Sequence, residues 1–174
     1  EAEPRNVSTS VRDCNASGAM EMVAQWNRLT AIDAISRAME LVTNNRFDDA
    51  QRLNSMCSER LSDAVKNARA SISAAGGGTS EGNYADLLGA LLQDVQGQVT
   101  QAFSKSEWYN KWGQHYLPSL MRAHQLQMCN NFKDPGLQYY GGALFKDIRD
   151  GTDDMFCKLP APKPSRPQPS VVSG

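Results

Sequence analysis

Apolar residues recur every three or four positions through most of this chain, and that regularity restricts it to helices packed on helices. Between Gly18 and Asn44 they fall at Val23, Trp26, Leu29, Ile32, Ile35, Met39 and Val42, which lie on one face of a helix. Ala31, Ala34 and Ala38 sit beside that face and admit a close neighbour. Asn44-Asn45 follows, and asparagine tolerates the left-handed conformation that ends helices. Phe47, Ala50, Leu53, Cys57, Leu61, Ala64, Ala68 and Ile72 then repeat the spacing. A connection of about four residues makes two such helices antiparallel.

The hairpin "AIDAISRAMELVTNNRFDDAQRL" resembles one tetratricopeptide-type pair, but no second copy follows at that period. It reads as part of a bundle. After the Gly-rich connector "AAGGGTSEGN", Tyr84, Leu88, Leu91, Leu92, Val95, Val99 and Phe103 predict a third helix. Gly89 and Gly97 each weaken it by about 1 kcal/mol relative to alanine, and either would permit a close crossing.

Ser106 is a cap for a short fourth helix bearing Trp108 and Trp112. Pro118 has no backbone N–H and suits a first turn. A break is therefore expected at Gln114 to Leu117, with a fifth helix starting near Pro118. That helix carries Leu120, Met121, His124 and Met128 and ends near Asn130-Asn131. Asp134-Pro135-Gly136 reads as a turn and "LQYYGG" as extended or irregular. A last helix, from Ala143 to Cys157, shows Leu144, Phe145, Ile148, Met155 and Phe156, with Gly151 weakening or kinking it.

The resulting expectation is all-α, an irregular bundle of five or six helices beginning with an antiparallel hairpin. Residues 1–14 form an irregular lead-in, with a short strand at Val7 to Val11. Residues 15–158 form a single helical domain carrying a flexible linker at 75–83. Residues 159–174 form a Pro-rich, polyproline-like tail.

The net charge of −1 provides no basic stripe for nucleic acid, and no apolar run is long enough to span a membrane. No signal peptide is visible in "EAEPRNVSTS". Cys14, Cys57, Cys129 and Cys157 are scattered. Two disulfides would allow three connectivities, and the spacing selects none. Cys57 falls on an apolar stripe and reads as a buried thiol. Asn6-Val-Ser8 and Asn15-Ala-Ser17 are sequons that matter only in the secretory pathway. The sequence leans towards an intracellular location, and the sequons and cysteines leave a secreted one open.

Both histidines and much of the distinctive chemistry lie in "WGQHYLPSLMRAHQLQMCNNFKDPGLQYYGG". Cys129 with His124 or His115 is the only thiol–imidazole combination. Positions 124 and 129 diverge by about 140° on a helix, and no orienting group is evident. His115, His124, Cys129 and Asp134 are ligand types at the wrong spacing for a metal. "RDGTDD" lacks the pattern of a calcium loop, and "GGGTSEGN" lacks the lysine of a phosphate loop. Asp48-Asp49 suit a helix's first turn, where negative charge complements the dipole. No catalytic residue, cofactor or metal is therefore expected.

Packing accounts better for these residues. The expected structural and contact motif is an aromatic block with a loop beside it. The block is Trp108, Trp112, His115, Tyr116 and Leu117, continued by Arg122 and His124. The loop comprises Asn130, Asn131, Phe132, Asp134, Pro135, Gly136, Tyr139, Tyr140, Gly141 and Gly142.

The stretch from Trp112 to Phe145 is similar to the C-terminal helical domain of large von Willebrand factor A-domain (VWA) proteins, the one that follows a Hedgehog/intein-like domain. "NRLTAIDAISRAMELVTNNRFDDAQRL" is similar to that family's helix pair, so the likeness runs from Asn27 to Pro164. The resemblance implies a non-catalytic interaction or scaffolding module of a multidomain chain. Its implied partners are sister domains or another protein. A substrate-positioning part of a self-processing or ubiquitin-ligase-like enzyme is one alternative, and a secreted, disulfide-bonded, glycosylated domain is another. The catalytic motifs of the neighbouring domains, DxSxS and an intein-like His-Asn end, are missing from these residues.

Overall fold

The computed structural model describes residues 16–74 and 79–162, apart from the side chains of 16–17 and 79–82. The strand expected at Val7 to Val11, Cys14, most of both sequons, the centre of the glycine connector and the tail beyond 162 lie outside the described residues. Among the described residues all regular structure is helical: α1 (Ala16–Thr43), α2 (Phe47–Ala74), α3 (79–102), α4 (106–126), α5 (Pro135–Gln138) and α6 (Ala143–Lys158). The all-α expectation holds, and α1 and α2 pack as the expected hairpin. Helix α3 begins at Thr79, inside the stretch read as linker.

The hairpin turn forms as its asparagines suggest. Asn45 is left-handed at φ 59°, and Arg46 donates its N–H back to Leu41 O at 2.8 Å. Asp48 and Asp49 occupy the first turn of α2. Hydrogen bonds from the Arg52 and Arg46 guanidiniums hold the Asp49 carboxyl below its usual range.

The buried face of α1 differs from the expected stripe. Ala24, Asn27, Arg28, Ala31, Ala34, Ile35 and Ala38 are buried, whereas Val23, Trp26 and Leu29 are 39%, 61% and 50% exposed. Both α2 and α3 pack on α1. Alanines let two backbones come close where branched or aromatic side chains would hold them apart, so the small-residue face turned inward. On α2 the reading fares better: Ala50, Cys57, Leu61 and Ala68 are buried, joined by Asn54 and Val65.

Two wide π turns interrupt α3 and α4, at Val95–Val99 and Tyr109–Gly113. Gly97 lies in the first, at φ −83° and ψ −108°, and nothing stands within 4 Å of where its Cβ would be. Gly89 has only the Arg69 guanidinium nearby, at 3.7 Å. The close crossing falls instead at Gly113, whose added Cβ would lie 3.0 Å from Ala102 Cβ.

The expected break at Gln114 to Leu117 is absent. Helix α4 runs through Pro118, one turn after its π turn. Tyr116, Leu117 and Leu120 are buried around the proline, and α4 packs on α1. Burial of those side chains outweighs the roughly 3 kcal/mol that an interior proline costs. The helix also stops earlier than expected, at Leu126, with Gln127 left-handed at φ 52° and Met128 N–H bonded to Ala123 O at 3.0 Å.

Pro135–Gln138 is a short helix where a turn and an extended or irregular stretch were expected, and only Tyr139 to Gly142 is irregular. Asp134 stands at the N-cap position, Pro135 opens α5, and Gly136 and Leu137 are buried. The chain divides into two compact units, Glu1–Gly141 and Gly142–Gly174. Helix α6, read from sequence as one more helix of a single domain, thus falls in a unit of its own. It continues through Gly151 without interruption. In the first unit the apolar core comprises one cluster around Phe103, Leu117, Leu120 and Leu137, a second around Leu61, Leu91 and Val95, and a third around Val65 and Leu88. No helix of the described residues is long and apolar enough to cross a membrane.

Candidate functional site

The aromatic block forms a ladder of rings. Trp108 and Trp112 centroids are 6.5 Å apart, Trp112 and Tyr116 5.6 Å, and Tyr116 and Phe132 5.2 Å. Spacings of four on α4 put the first three on one side, and Phe132 joins from the loop. Edge and tilted contacts of this kind suit the ring quadrupoles. Trp108, Trp112 and Phe132 remain half-buried, so the ladder is part core and part surface.

Below it lies a polar cluster with almost no access to solvent. The Asp94 carboxylate accepts the Gly136 backbone N–H on both oxygens, at 2.9 and 3.0 Å. Its Oδ2 also lies 3.1 Å from His124 Nε2. His124 Nδ1 lies 3.0 Å from the Tyr140 hydroxyl. A carboxylate only accepts, so Nε2 carries a hydrogen towards Asp94. The side chains of His124 and Asp94 are 2% and 0% exposed. A second pair stands beside them, with the Tyr116 hydroxyl donating to Asp134 Oδ1 at 2.6 Å.

The physical causes of the shifts agree with this burial. Loss of water raises the Asp134 carboxyl, and the Asp94 charge adds to the rise, against the lowering effect of the Tyr116 hydrogen bond. Burial, and then the bond to Asp134, raises the Tyr116 phenol strongly. Burial pushes the Tyr140 phenol up to about 12.

Gly136 is where backbone meets carboxylate. A Cβ there would land on the Asp94 carboxylate and lie 3.0 Å from His124 Cε1, so only glycine lets α5 dock this closely. Arg28 closes the cluster from α1. Its guanidinium donates to His124 O and Gln125 O, the last carbonyls of α4, at 2.5 and 3.5 Å, stabilising the negative end of that helix. Among the described residues, every buried side-chain nitrogen or oxygen has a partner.

The structure therefore gathers Tyr116, His124, Asp134, Gly136 and Tyr140 in the polar cluster and Trp108, Trp112 and Phe132 in the ladder with Tyr116, and disperses the rest of the motif. Leu117 is core, whereas His115, Arg122, Asn131, Pro135, Tyr139 and Gly142 are exposed, and Gly141 is half-buried. Asn130 bonds neighbouring backbone, accepting the Phe132 N–H at 2.8 Å. The Cys129 thiol bonds to Asn130 O at 3.6 Å, while His124 is committed to Asp94 and Tyr140. Cys57, Cys129 and Cys157 are free thiols, and burial pushes the Cys57 thiol up to about 11.

Asp94 and Arg28 escaped the sequence reading, yet each left a signal. Asp94 sits amid Leu91, Leu92 and Val95, and Arg28 lies four residues from Ala24 and three from Ala31. A charge on an inward-facing row requires a buried partner.

Asp94, Tyr116, His124, Asp134, Gly136 and Tyr140 fall in the part of the chain recognised by comparison, and Arg28 does not. Residues 85–154 match the Vwaint family model, described as VWA / Hh protein intein-like. The match bears out the resemblance of the Trp112–Phe145 stretch. It begins after α1 and α2, so the helix pair that carried the other half of the likeness lies outside it. No curated protein matches the chain, and no solved structure does.

Away from the cluster, large apolar side chains face solvent in two places. On α1, Met22, Trp26 and Leu29 are 63%, 61% and 50% exposed. On α6, Leu144, Ile148, Met155 and Phe156 are 73%, 61%, 66% and 72% exposed. A groove of about 570 Å³ also runs along α4 and the loop after it, lined by Pro118, Arg122, Leu126, Met128 and Asn130 among others.

Proposed function

We propose that this chain is a non-catalytic helical interaction module of a larger VWA-type multidomain protein, docking on sister domains or on a protein partner. The Vwaint match supports the coarser part of this reading. The finer part rests on the uncovered apolar face of α6, where large side chains at helical spacing stand in water. A helix that is amphipathic and unpartnered presents a surface suited to burial against another body.

The titratable groups support the non-catalytic half of the reading. His124, Asp94 and Asp134 spend their polar atoms on one another and on backbone, inside the packed unit. A general base needs its free position within reach of a substrate proton.

Hydrogen exchange tests the proposal. The amides of α6 are compared in this chain alone and in the parent multidomain protein. The expected result is slower exchange across Leu144 to Phe156 in the parent. Equal exchange in both settings, with no protein partner that slows it, defeats the reading. So does turnover of a small substrate that is lost on His124→Gln.

A further inference from the structure

We propose that the apolar face of α6 seats in the α4 groove of a second copy of this chain, making a head-to-tail contact. This inference rests on the interaction-module reading and names a partner for it.

Two complementary surfaces carry it. Leu144, Ile148 and Met155 recur at four and seven residues, one stripe of α6, all more than half exposed. From Leu144 to Met155 that stripe is about 16 Å long at the α-helical rise. The groove follows α4 for about 12 Å from Pro118 to Leu126 and continues over Met128 and Asn130. Leu126 and Met128, 47% and 58% exposed, supply apolar walls. Methionine adapts to whatever packs against it.

Charge selects the register. Arg122 lies in the groove and donates to Gln125 Oε1 at 3.0 Å; no carboxylate partners it among the described residues. On α6, Asp150 pairs with Arg149 and Asp154 with Lys158, while Asp147, between Leu144 and Ile148 in sequence, has no ion-pair partner among the described residues. Seating the stripe in the groove brings Asp147 of one copy to Arg122 of the other, a pairing of carboxylate with guanidinium.

Sedimentation of the full chain over a dilution series tests the proposal, with Met128→Glu and Ile148→Glu as the disabling variants. Both positions are exposed, so each variant is expected to keep the wild-type helical circular dichroism and melting temperature. Wild type should associate with rising concentration, and each variant should associate at least about tenfold more weakly. An equimolar mixture of the two variants should recover a one-to-one dimer, since one copy retains the groove and the other retains the stripe. Arg122→Asp should weaken association, and adding Asp147→Arg in the same chain should restore it. Wild type that stays monomeric at every concentration overturns the inference while leaving the interaction-module reading intact. Association insensitive to Met128→Glu, or a mixture that fails to recover, equally overturns it and points to paired α6 helices.

Discussion

Helices α4 and α6 carry the same kind of pattern and meet opposite fates. On α4, Tyr116, Leu117, Leu120, Ala123 and His124 are buried against the rest of the first unit. On α6, Leu144, Ile148 and Met155 also fall on one helical face and remain exposed, as does Phe156. Spacing tells which face of a helix is apolar; it does not tell what covers that face. The polar residues sharpen the contrast. On α4 a histidine falls on the inward face and is held by Asp94 and Tyr140. On α6, Lys158 pairs with Asp154 along the helix in water, where such a pair contributes little.

The largest effect should come from breaking the buried side of this comparison. Asp94→Ala leaves the His124 and Gly136 donors buried without an acceptor. Each buried donor left unsatisfied costs about 1–3 kcal/mol, and urea denaturation should show the loss as a lower midpoint. A change below about 1 kcal/mol would mean that the cluster is wetter or looser than its distances indicate.

An intermediate effect should appear as pH dependence. Burial raises the folded-state pKa of Asp134 above the ordinary carboxyl value of 3.8, so the folded protein binds this proton more tightly than the unfolded chain does. Stability from this group is complete below 3.8 and is lost as pH rises through the folded value. Asp134→Asn keeps an acceptor for the Tyr116 hydroxyl and removes the charge. Relative to wild type the variant should be most stable at neutral pH, with its advantage shrinking on acidification. Parallel denaturation midpoints across that range would contradict the assignment.

The smallest effect belongs to α6. Ile148→Ser removes an exposed side chain, and the isolated chain should change by no more than about 0.5 kcal/mol. A loss of several kcal/mol in a thermal melt at low protein concentration would show that this face is already covered within one molecule.

Much of the scaffold was legible in the residues, because local spacing encodes it. The hairpin, its left-handed asparagine turn and the helical character of 84–103 and 143–157 all follow from periods and caps. The misjudged features turn on competition between neighbours. Alanines rather than Trp26 and Leu29 face inward, since two helices must approach α1. Pro118 lies within α4, since the burial of Leu117 and Leu120 exceeds the local cost of proline. For the candidate site, Tyr116, His124, Asp134, Gly136 and Tyr140 were singled out from one stretch. Asp94 and Arg28 come from α3 and α1, and no local pattern joins them to it.

By itself, then, the amino-acid order determined that the chain is helical, where its first two helices turn, and which residues carry unusual chemistry. Each of those depends on backbone geometry and on side chains within a few residues of one another. Only the tertiary structure decided that His124 pairs with Asp94, that Gly136 must be glycine, and that Leu117 and Leu120 are buried around Pro118. Those outcomes depend on groups brought together from distant parts of the chain, where burial makes an unpaired charge costly and a missing Cβ decisive.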